Sequence, residues 1–144
     1  MDKIKVLFVC IHNSARSQMA EAILNHYYGD RFIAESAGFE AGTLNPFAAK
    51  AMEEWDIDIS ENKTEIVFDL FKQGRIFSYV ITVCDESNAE RCPVFPGITT
   101  RIHWSFADPS AHKGRDEDKL LFAKNVRDEI KEKIDEWVKT HNRN

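Results

Sequence analysis

The fold is decided by VLFVCIHNSARSQMAE, the stretch from Val6 to Glu21. Its first four residues are apolar, as in a strand buried at the centre of a parallel sheet, and the run stops at Cys10. Arg16 follows after five intervening residues, and the apolar spacing of a helix begins just beyond Ser17. The pattern therefore predicts a strand, a short turn and the beginning of a helix.

A turn of this kind suits a tetrahedral oxyanion. Backbone N–H groups at the start of a helix have no intrahelical partner, and the helix dipole adds partial positive charge there. Arg16 supplies a planar fork that matches two anion oxygens, and the same field favours the thiolate of Cys10. The stretch thus predicts an anion site with a thiolate nucleophile. The alternative is that Cys10 is only a small buried core residue.

The stretch from Cys10 to Glu21 resembles the phosphate-binding loop of the low-molecular-weight protein tyrosine phosphatases. It is still more similar to that of the thioredoxin-coupled arsenate reductases built on the same fold. The resemblance covers essentially the whole chain, in order, and continues through ESAG at 35–38, LNP at 44–46, DIS at 58–60, Cys84, CP at 92–93 and WSFADP at 104–109.

Composition and charge exclude several classes of protein. A chain of 144 residues is expected to form one domain, residues 1–144, that buries about two thirds of its unfolded surface. The net charge of −5 argues against a nucleic-acid partner. The sequence contains no apolar run of membrane length, and its first residues do not resemble a signal peptide. We expect a cytoplasmic monomer.

The three cysteines are an odd number, which disfavours a structural disulfide framework in an intracellular chain. The cysteine and histidine spacings do not match a zinc site, and no metal or cofactor is expected. Redox or nucleophilic use of the thiols remains.

Strands are predicted to alternate with helices along the chain, which implies a parallel α/β sheet with right-handed connections. The resemblance implies a three-layer fold with four strands in the order 2-1-3-4 and helices on both faces. Cys10, Cys84 and Asp108 each follow a strand and are expected at the same edge of the sheet. The predicted strands are 3–9, 32–37, 77–84 and 100–104, and the predicted helices are 17–28, 46–55, 64–71 and 116–141, with loops at 85–97 and 107–115.

Each residue of the predicted site has a chemical task. Cys10 attacks the central atom of the anion, Arg16 stabilises its oxygens, and Asp108 protonates the leaving oxygen as a general acid. Ser17 either donates a hydrogen bond to the Cys10 sulfur or caps the helix, and both are compatible. Asn13 tolerates left-handed backbone angles and can hold the loop open. The residues expected to bind the oxyanion are Ile11, His12, Asn13, Ser14, Ala15 and Arg16.

The other two cysteines distinguish two functions. A phosphatase needs only Cys10, Arg16 and the acid, and hydrolyses a phosphocysteine with water. The resemblance to the reductases implies instead that Cys84 displaces arsenite to form a Cys10–Cys84 disulfide, that Cys92 then forms a Cys84–Cys92 disulfide, and that thioredoxin reduces it. Phosphate and sulfate would compete with arsenate, and weak phosphatase activity would remain. A third possibility is an oxyanion-binding or redox-sensing module without turnover.

Three departures from the resembling families stand out. Many relatives have glycine and cysteine at the positions of His12 and Ala15. Asp108-Pro109 is followed by Ser110-Ala111, where the phosphatases typically carry tyrosines. Some relatives bind potassium through residues that match Asn13, Glu21, Ser36, Lys63 and Glu65. Because Lys63 replaces a threonine of those relatives, we hypothesise that its ammonium group takes the place of the ion.

Overall fold

The computed structural model describes residues 3–40, 42–83 and 100–140. Its strands are β1 (Ile4–Cys10), β2 (Phe32–Gly38), β3 (Tyr79–Thr82) and β4 (Thr100–His103). Its helices are α1 (Arg16–Tyr28), α2 (Pro46–Glu53), α3 (Val67–Lys72) and α4 (Asp116–Thr140), and a short 3-10 turn spans Pro109–Ala111. All neighbouring strands are parallel, in the order β2-β1-β3-β4. The predicted topology is confirmed.

β1 lies at the centre of the sheet because its side chains are apolar on both faces. Val6 and Phe8 belong to one core cluster, while Leu7 and Val9 belong to another on the opposite face. All four are fully buried, and each such side chain contributes about 1.5–3 kcal/mol to folding. The first cluster packs against α1, α2 and α4, and the second packs against α3. The three-layer architecture is therefore confirmed, with very unequal layers.

Two predicted elements differ most from the structure at their ends, while the other boundaries within the described residues agree to within two residues. The helix predicted at 64–71 begins only at Val67, because the segment before it is extended: Ile66 forms a parallel bridge with Gly38, and the Gly38 N–H donates to the Glu65 carbonyl at 2.8 Å. The strand predicted at 77–84 is confined to Tyr79–Thr82. The predicted loop at 85–97 lies outside the described residues, as do the chain ends.

The N-terminal ends of α1 and α2 are capped differently. The Asn45 side chain accepts hydrogen bonds from the N–H groups of Phe47 and Ala48, and Pro46 occupies the first helical position, as predicted. By contrast, α1 begins at Arg16 and its N-cap, Ala15, makes no side-chain cap bond. The first turn of α1 therefore directs its N–H groups into the loop after β1 rather than onto a capping side chain.

Candidate active site

The loop at 11–15 joins the end of β1 to α1 and wraps around the Cys10 sulfur. Asn13 is fully buried and has a φ of 55°, so the predicted left-handed backbone is confirmed. This angle points the Asn13 N–H at the Cys10 sulfur, 3.1 Å away. The floor of the loop is Gly38, where an added Cβ would lie 2.6 Å from the Asn13 nitrogen. Gly38 is thus needed for close backbone approach.

Ser17 lies beside the same sulfur. Its Oγ is 2.9 Å from Cys10 Sγ and accepts a hydrogen bond from Asn13 Nδ2 at 2.7 Å. Because the Asn13 amide occupies an acceptor position of the hydroxyl, the Ser17 hydrogen is available to the sulfur. The alternative in which Ser17 caps α1 is wrong, since the helix begins one residue earlier and Ser17 lies within its first turn. Two donors therefore converge on a buried sulfur, an arrangement that suits a thiolate.

The backbone of the loop leaves donors for an anion. Within the described residues, the N–H groups of His12, Ser14 and Ala15 donate to no backbone oxygen. Their predicted partner, an oxyanion, would supply the missing acceptor. His12 lies at the exposed rim, where its ring nitrogen is 3.8 Å from a Glu40 carboxylate oxygen.

Arg16 and Asp108 meet across the site, although 92 positions separate them. Arg16 is 3% exposed; its Nη1 donates to the Phe106 carbonyl at 3.2 Å, and its Nη2 lies 3.4 Å from an Asp108 carboxylate oxygen. The loop after β4 thus fixes the guanidinium and brings the predicted acid to it. A tetrahedral anion bound by the guanidinium would have the Asp108 carboxyl group as a neighbour, which is the arrangement that proton transfer to a leaving oxygen requires.

A hydroxyl group that sequence reasoning missed ties the acid to the loop. The Asp108 side chain accepts from the Ser110 N–H at 2.9 Å and caps the 3-10 turn Pro109–Ala111. The Ser110 hydroxyl in turn accepts from Asn45 Nδ2 at 2.9 Å and lies 3.2 Å from Ser14 Oγ. The Asn45 backbone N–H also donates to the Ser14 carbonyl. Ser110 therefore joins three parts of the site: the turn at 108–111, which is called the acid turn below, the start of α2, and the loop at 11–15, which is called the anion loop below.

The site opens into a cleft of about 370 Å³. Its lining includes two histidines and a lysine, together with polar and aromatic side chains: His12, His112, Lys119, Ser14, Asn45, Phe47 and Ser110. The Lys119 ammonium group lies 5.9 Å from the centre of the Phe47 ring. The cleft therefore places the Lys119 ammonium group in the same space as the loop residues His12 and Ser14.

Four of the five residues that would match a potassium site line a smaller cavity of about 220 Å³, namely Glu21, Ser36, Lys63 and Glu65, whereas Asn13 does not. Burial raises the pKa of Glu21 above its usual value, against the opposing effect of a 2.6 Å hydrogen bond from Ser36 Oγ. The neighbouring Glu35 and Glu65 charges raise the Glu21 pKa further. Among the described residues, the Lys63 side chain is exposed and forms no ion pair, so the geometry gives no support to an ammonium group in place of the ion.

The structure brings together Cys10, Asn13, Arg16, Ser17 and Asp108 as predicted. Cys84 and Cys92 lie outside the described residues. Within that part of the chain, no cluster of three or more potential metal ligands occurs, and no helix is both long and apolar enough to cross a membrane. The role of Ser110 was missed because a serine beside an Asp-Pro turn carries no signal of a contact with residues 65 and 96 positions away.

Comparison with known proteins identifies the family. The family model described as low molecular weight phosphotyrosine protein phosphatase matches residues 5–144. A curated arsenate reductase from Bacillus licheniformis is 43% identical over 141 residues, which cover 97% of this chain and 99% of the relative. A solved structure of an arsenate reductase in the phosphate binding state superposes with a TM-score of 0.75 at 26% identity, covering 95% of this chain and 98% of that one.

A thioredoxin-dependent arsenate reductase from Corynebacterium glutamicum has a TM-score of 0.67 at 27% identity, covering 97% of this chain and 62% of that one. The fold, the loop geometry and the full-length similarity agree with one another. The chain belongs to the low molecular weight phosphotyrosine protein phosphatase family and groups there with the arsenate reductases.

Proposed function

We propose that this protein reduces arsenate to arsenite with electrons supplied by thioredoxin. The observation that carries the proposal is the Cys10 sulfur, held by two hydrogen-bond donors beneath an anion loop and facing the Arg16–Asp108 pair. The curated relatives named arsenate reductase, at about 40% identity over their full length, support arsenate as the substrate. The name of the Corynebacterium glutamicum structure supports thioredoxin as the donor.

In the first step the Cys10 thiolate attacks arsenic(V). A sulfur–arsenic bond forms and an arsenic–oxygen bond breaks, with the leaving oxygen taking a proton from Asp108. The loop N–H groups and Arg16 stabilise the charge on the remaining oxygens. The Ser17 hydroxyl and the Asn13 N–H lie within hydrogen-bond distance of the sulfur and hold it in place for the attack.

In the second step the Cys84 thiolate attacks the Cys10 sulfur. The sulfur–arsenic bond breaks, its electron pair reduces arsenic(V) to arsenic(III), and arsenite leaves with a Cys10–Cys84 disulfide behind it. Cys92 then attacks Cys84 and releases the Cys10 thiolate. The resulting Cys84–Cys92 disulfide is reduced by the dithiol of thioredoxin, which is oxidised in return. Such a cycle requires a reducing compartment, and we therefore infer a cytoplasmic location. We infer separately that the protein is a monomer.

The proposal is tested by following NADPH oxidation with thioredoxin, thioredoxin reductase and arsenate. We expect arsenate-dependent turnover that is abolished in Cys10→Ser and lost in steady state in both Cys84→Ser and Cys92→Ser. Phosphate and sulfate should compete with arsenate. Full turnover in Cys92→Ser would contradict the relay, and no turnover with any thiol donor would contradict the reductase itself.

A second candidate is hydrolysis of phosphomonoesters through a phosphocysteine. This reaction would use Cys10 as the nucleophile, Arg16 to bind the phosphate and Asp108 as the acid. Formation of the phosphocysteine and its hydrolysis by water both proceed without a second thiol. Ser110 and Ala111 at the acid turn leave no aromatic side chain there for a phosphotyrosine ring. We therefore expect only weak hydrolysis, which should survive in Cys84→Ser and Cys92→Ser.

A further inference from the structure

A continuous chain of side-chain hydrogen bonds leads to the Cys10 sulfur through the first turn of α1. Asn62 Nδ2 donates to Gln18 Oε1 at 3.2 Å, and Gln18 Nε2 donates to Asn13 Oδ1 at 3.2 Å. Asn13 Nδ2 then donates to Ser17 Oγ at 2.7 Å, and that oxygen lies 2.9 Å from the sulfur. The chain therefore has four links, and its last three bonds are buried.

Two backbone groups fix the direction of the amide hydrogen bonds, because a backbone N–H can only donate and a backbone carbonyl can only accept. The Glu65 N–H donates to Asn13 Oδ1 at 2.9 Å, so the Asn13 amide must present its NH₂ group to Ser17. Gln18 Nε2 also donates to the Lys63 carbonyl at 3.1 Å, so the Gln18 oxygen must face Asn62. The three amide donors of the chain consequently point towards Cys10, and a Cys10 thiolate, which has no hydrogen, can only accept from Ser17 in the last bond.

Gln18 is unusual in its position. It is 1% exposed on a helix whose other buried residues beyond Ser17 are apolar. An amide at such a place is costly unless all its polar atoms are bonded, and here they are, to Asn13, Lys63 and Asn62. Fully satisfied buried networks of this kind fix one arrangement of side chains.

We propose that Gln18 is a positioning residue for the nucleophile: it holds the Asn13 amide in the orientation that makes Ser17 donate to the Cys10 sulfur. Gln18 itself contacts neither the sulfur nor the anion loop's open face, and it acts through Asn13. The inference rests on the proposed function only in taking Cys10 as the reactive thiol.

The test measures alkylation of Cys10 by iodoacetamide in the Cys84→Ser, Cys92→Ser form, where Cys10 is the one remaining thiol of the three. Gln18→Met keeps the length of the side chain and removes its bonds. We expect Gln18→Met to react about three to ten times more slowly at neutral pH, the effect of one weakened hydrogen bond to a charged group. At high pH, where the thiolate forms without help, its rate should equal that of the parent.

The pH profile isolates this effect because the other charges are unchanged. Within the part of the chain that the structure describes, the charged and titratable groups near the loop and its hydrogen-bond chain include those of His12, Arg16, Glu21, Glu35, Glu40, Lys63, Glu65 and Asp108. A variant that slowed alkylation equally at all pH values would act by altering access to the thiol, and that result would overturn the proposal, as would a rate equal to the parent's at neutral pH.

Asn25→Ala is the matched control. Asn25 is also an amide on α1, but it bonds to the backbone of Ala34 in β2, at 2.8 and 3.0 Å. This variant should lower the melting temperature and leave Cys10 alkylation unchanged. Should Gln18→Met fail to fold, Asn62→Ala removes the exposed end of the chain, and we expect about a twofold slower reaction at neutral pH. An unchanged rate in folded Asn62→Ala would then overturn the proposal.

Failure of this inference is distinguishable from failure of the proposed function. If the three-cysteine protein does not reduce arsenate but Gln18→Met still shifts the alkylation profile, the function is wrong and the positioning role stands. If arsenate is reduced and the alkylation profiles of Gln18→Met and its parent coincide, the function stands and the positioning role is wrong.

Discussion

Replacing Ser110 by alanine tests whether its hydroxyl holds the general acid over the anion loop. The substitution removes the acceptor of the 2.9 Å bond from Asn45 and the 3.2 Å contact with Ser14. It leaves the bond from the Ser110 backbone N–H to Asp108 in place, because that bond does not involve the side chain. The variant therefore separates the attachment of the acid turn from its local geometry.

The size of the effect follows from the two contacts. A neutral hydrogen bond contributes about 0.5–1.5 kcal/mol, and partly exposed bonds lie in the lower half of that range. Together the two contacts contribute about 1–2 kcal/mol, which corresponds to a change of about 5- to 30-fold in the equilibrium constant between the placed and the displaced Asp108 turn, and this factor is the upper limit of the loss. We expect kcat for arsenate reduction to fall by up to that factor, with KM nearly unchanged, since the anion is bound by the loop and Arg16.

The assay compares two classes of substrate. Arsenate reduction and hydrolysis of phenyl phosphate both need a proton for a poor leaving group, whereas p-nitrophenyl phosphate has a good one. Ser110→Ala should slow the first two and spare the third. Equal losses on all three, or no loss on any, would refute the reasoning.

A matched control is present on the surface. Asp58 accepts from both the N–H and the hydroxyl of Ser60, in an Asp-x-Ser turn resembling that at Asp108, and within the described residues the Ser60 hydroxyl bonds to no residue of the anion loop. These bonds lower the pKa of Asp58 below its usual value. Ser60→Ala should leave all three rates unchanged.

Three further predictions concern stability and the loop. Arg127→Met should lower the free energy of unfolding in urea by about 1–3 kcal/mol, because it removes the 2.8 Å bond to the Ala51 carbonyl and the stacking on Trp55; an unchanged midpoint would contradict this. The hydrogen bond that Tyr28 donates to Asp135 raises the Tyr28 pKa to about 12, above the ordinary value of 10.0. This contribution to stability is present below pH 10 and lost as the pH rises towards 12, so thermal melts across that range should fall more steeply for the wild type than for Tyr28→Phe. Gly38→Ala should lower kcat/KM at least tenfold without abolishing folding, since its Cβ would press on the loop backbone, and wild-type kinetics would disprove that close approach.

Much of the fold could be predicted because its determinants are local. The apolar run before Cys10 is buried on both faces, and Asn45-Pro46 caps α2 through its own neighbouring N–H groups. The prediction failed where a distant partner decides the conformation. Residues 64–66 have helical spacing with the residues that follow, but Gly38 of β2 pairs with Ile66 and keeps the segment extended.

In the candidate site, too, the residues of one local stretch could be predicted, whereas contacts with distant residues could not. Cys10, Asn13, Arg16 and Ser17 lie within eight residues, and the chemistry of a strand–turn–helix junction predicts their roles. The attachments of Gln18 to residues 62 and 63 could not be predicted. Polar side chains on a helix are usually solvated, and only the packed fold shows that this one is buried.

The position of Cys10 has a mechanical consequence. It is the last residue of β1, one of the two inner strands of the sheet, and it pairs there with Gly38 of β2. Displacing it would break its pairing with β2, and the residue before it, Val9, is paired with both β2 and β3, so the nucleophile stands on a firmly held strand end. In the exchange proposed above between Cys84 and Cys10, the attacking sulfur must therefore come to a fixed target. Engineered cross-links between other strands of the sheet should therefore leave the rate at which Cys10 attacks arsenic unchanged.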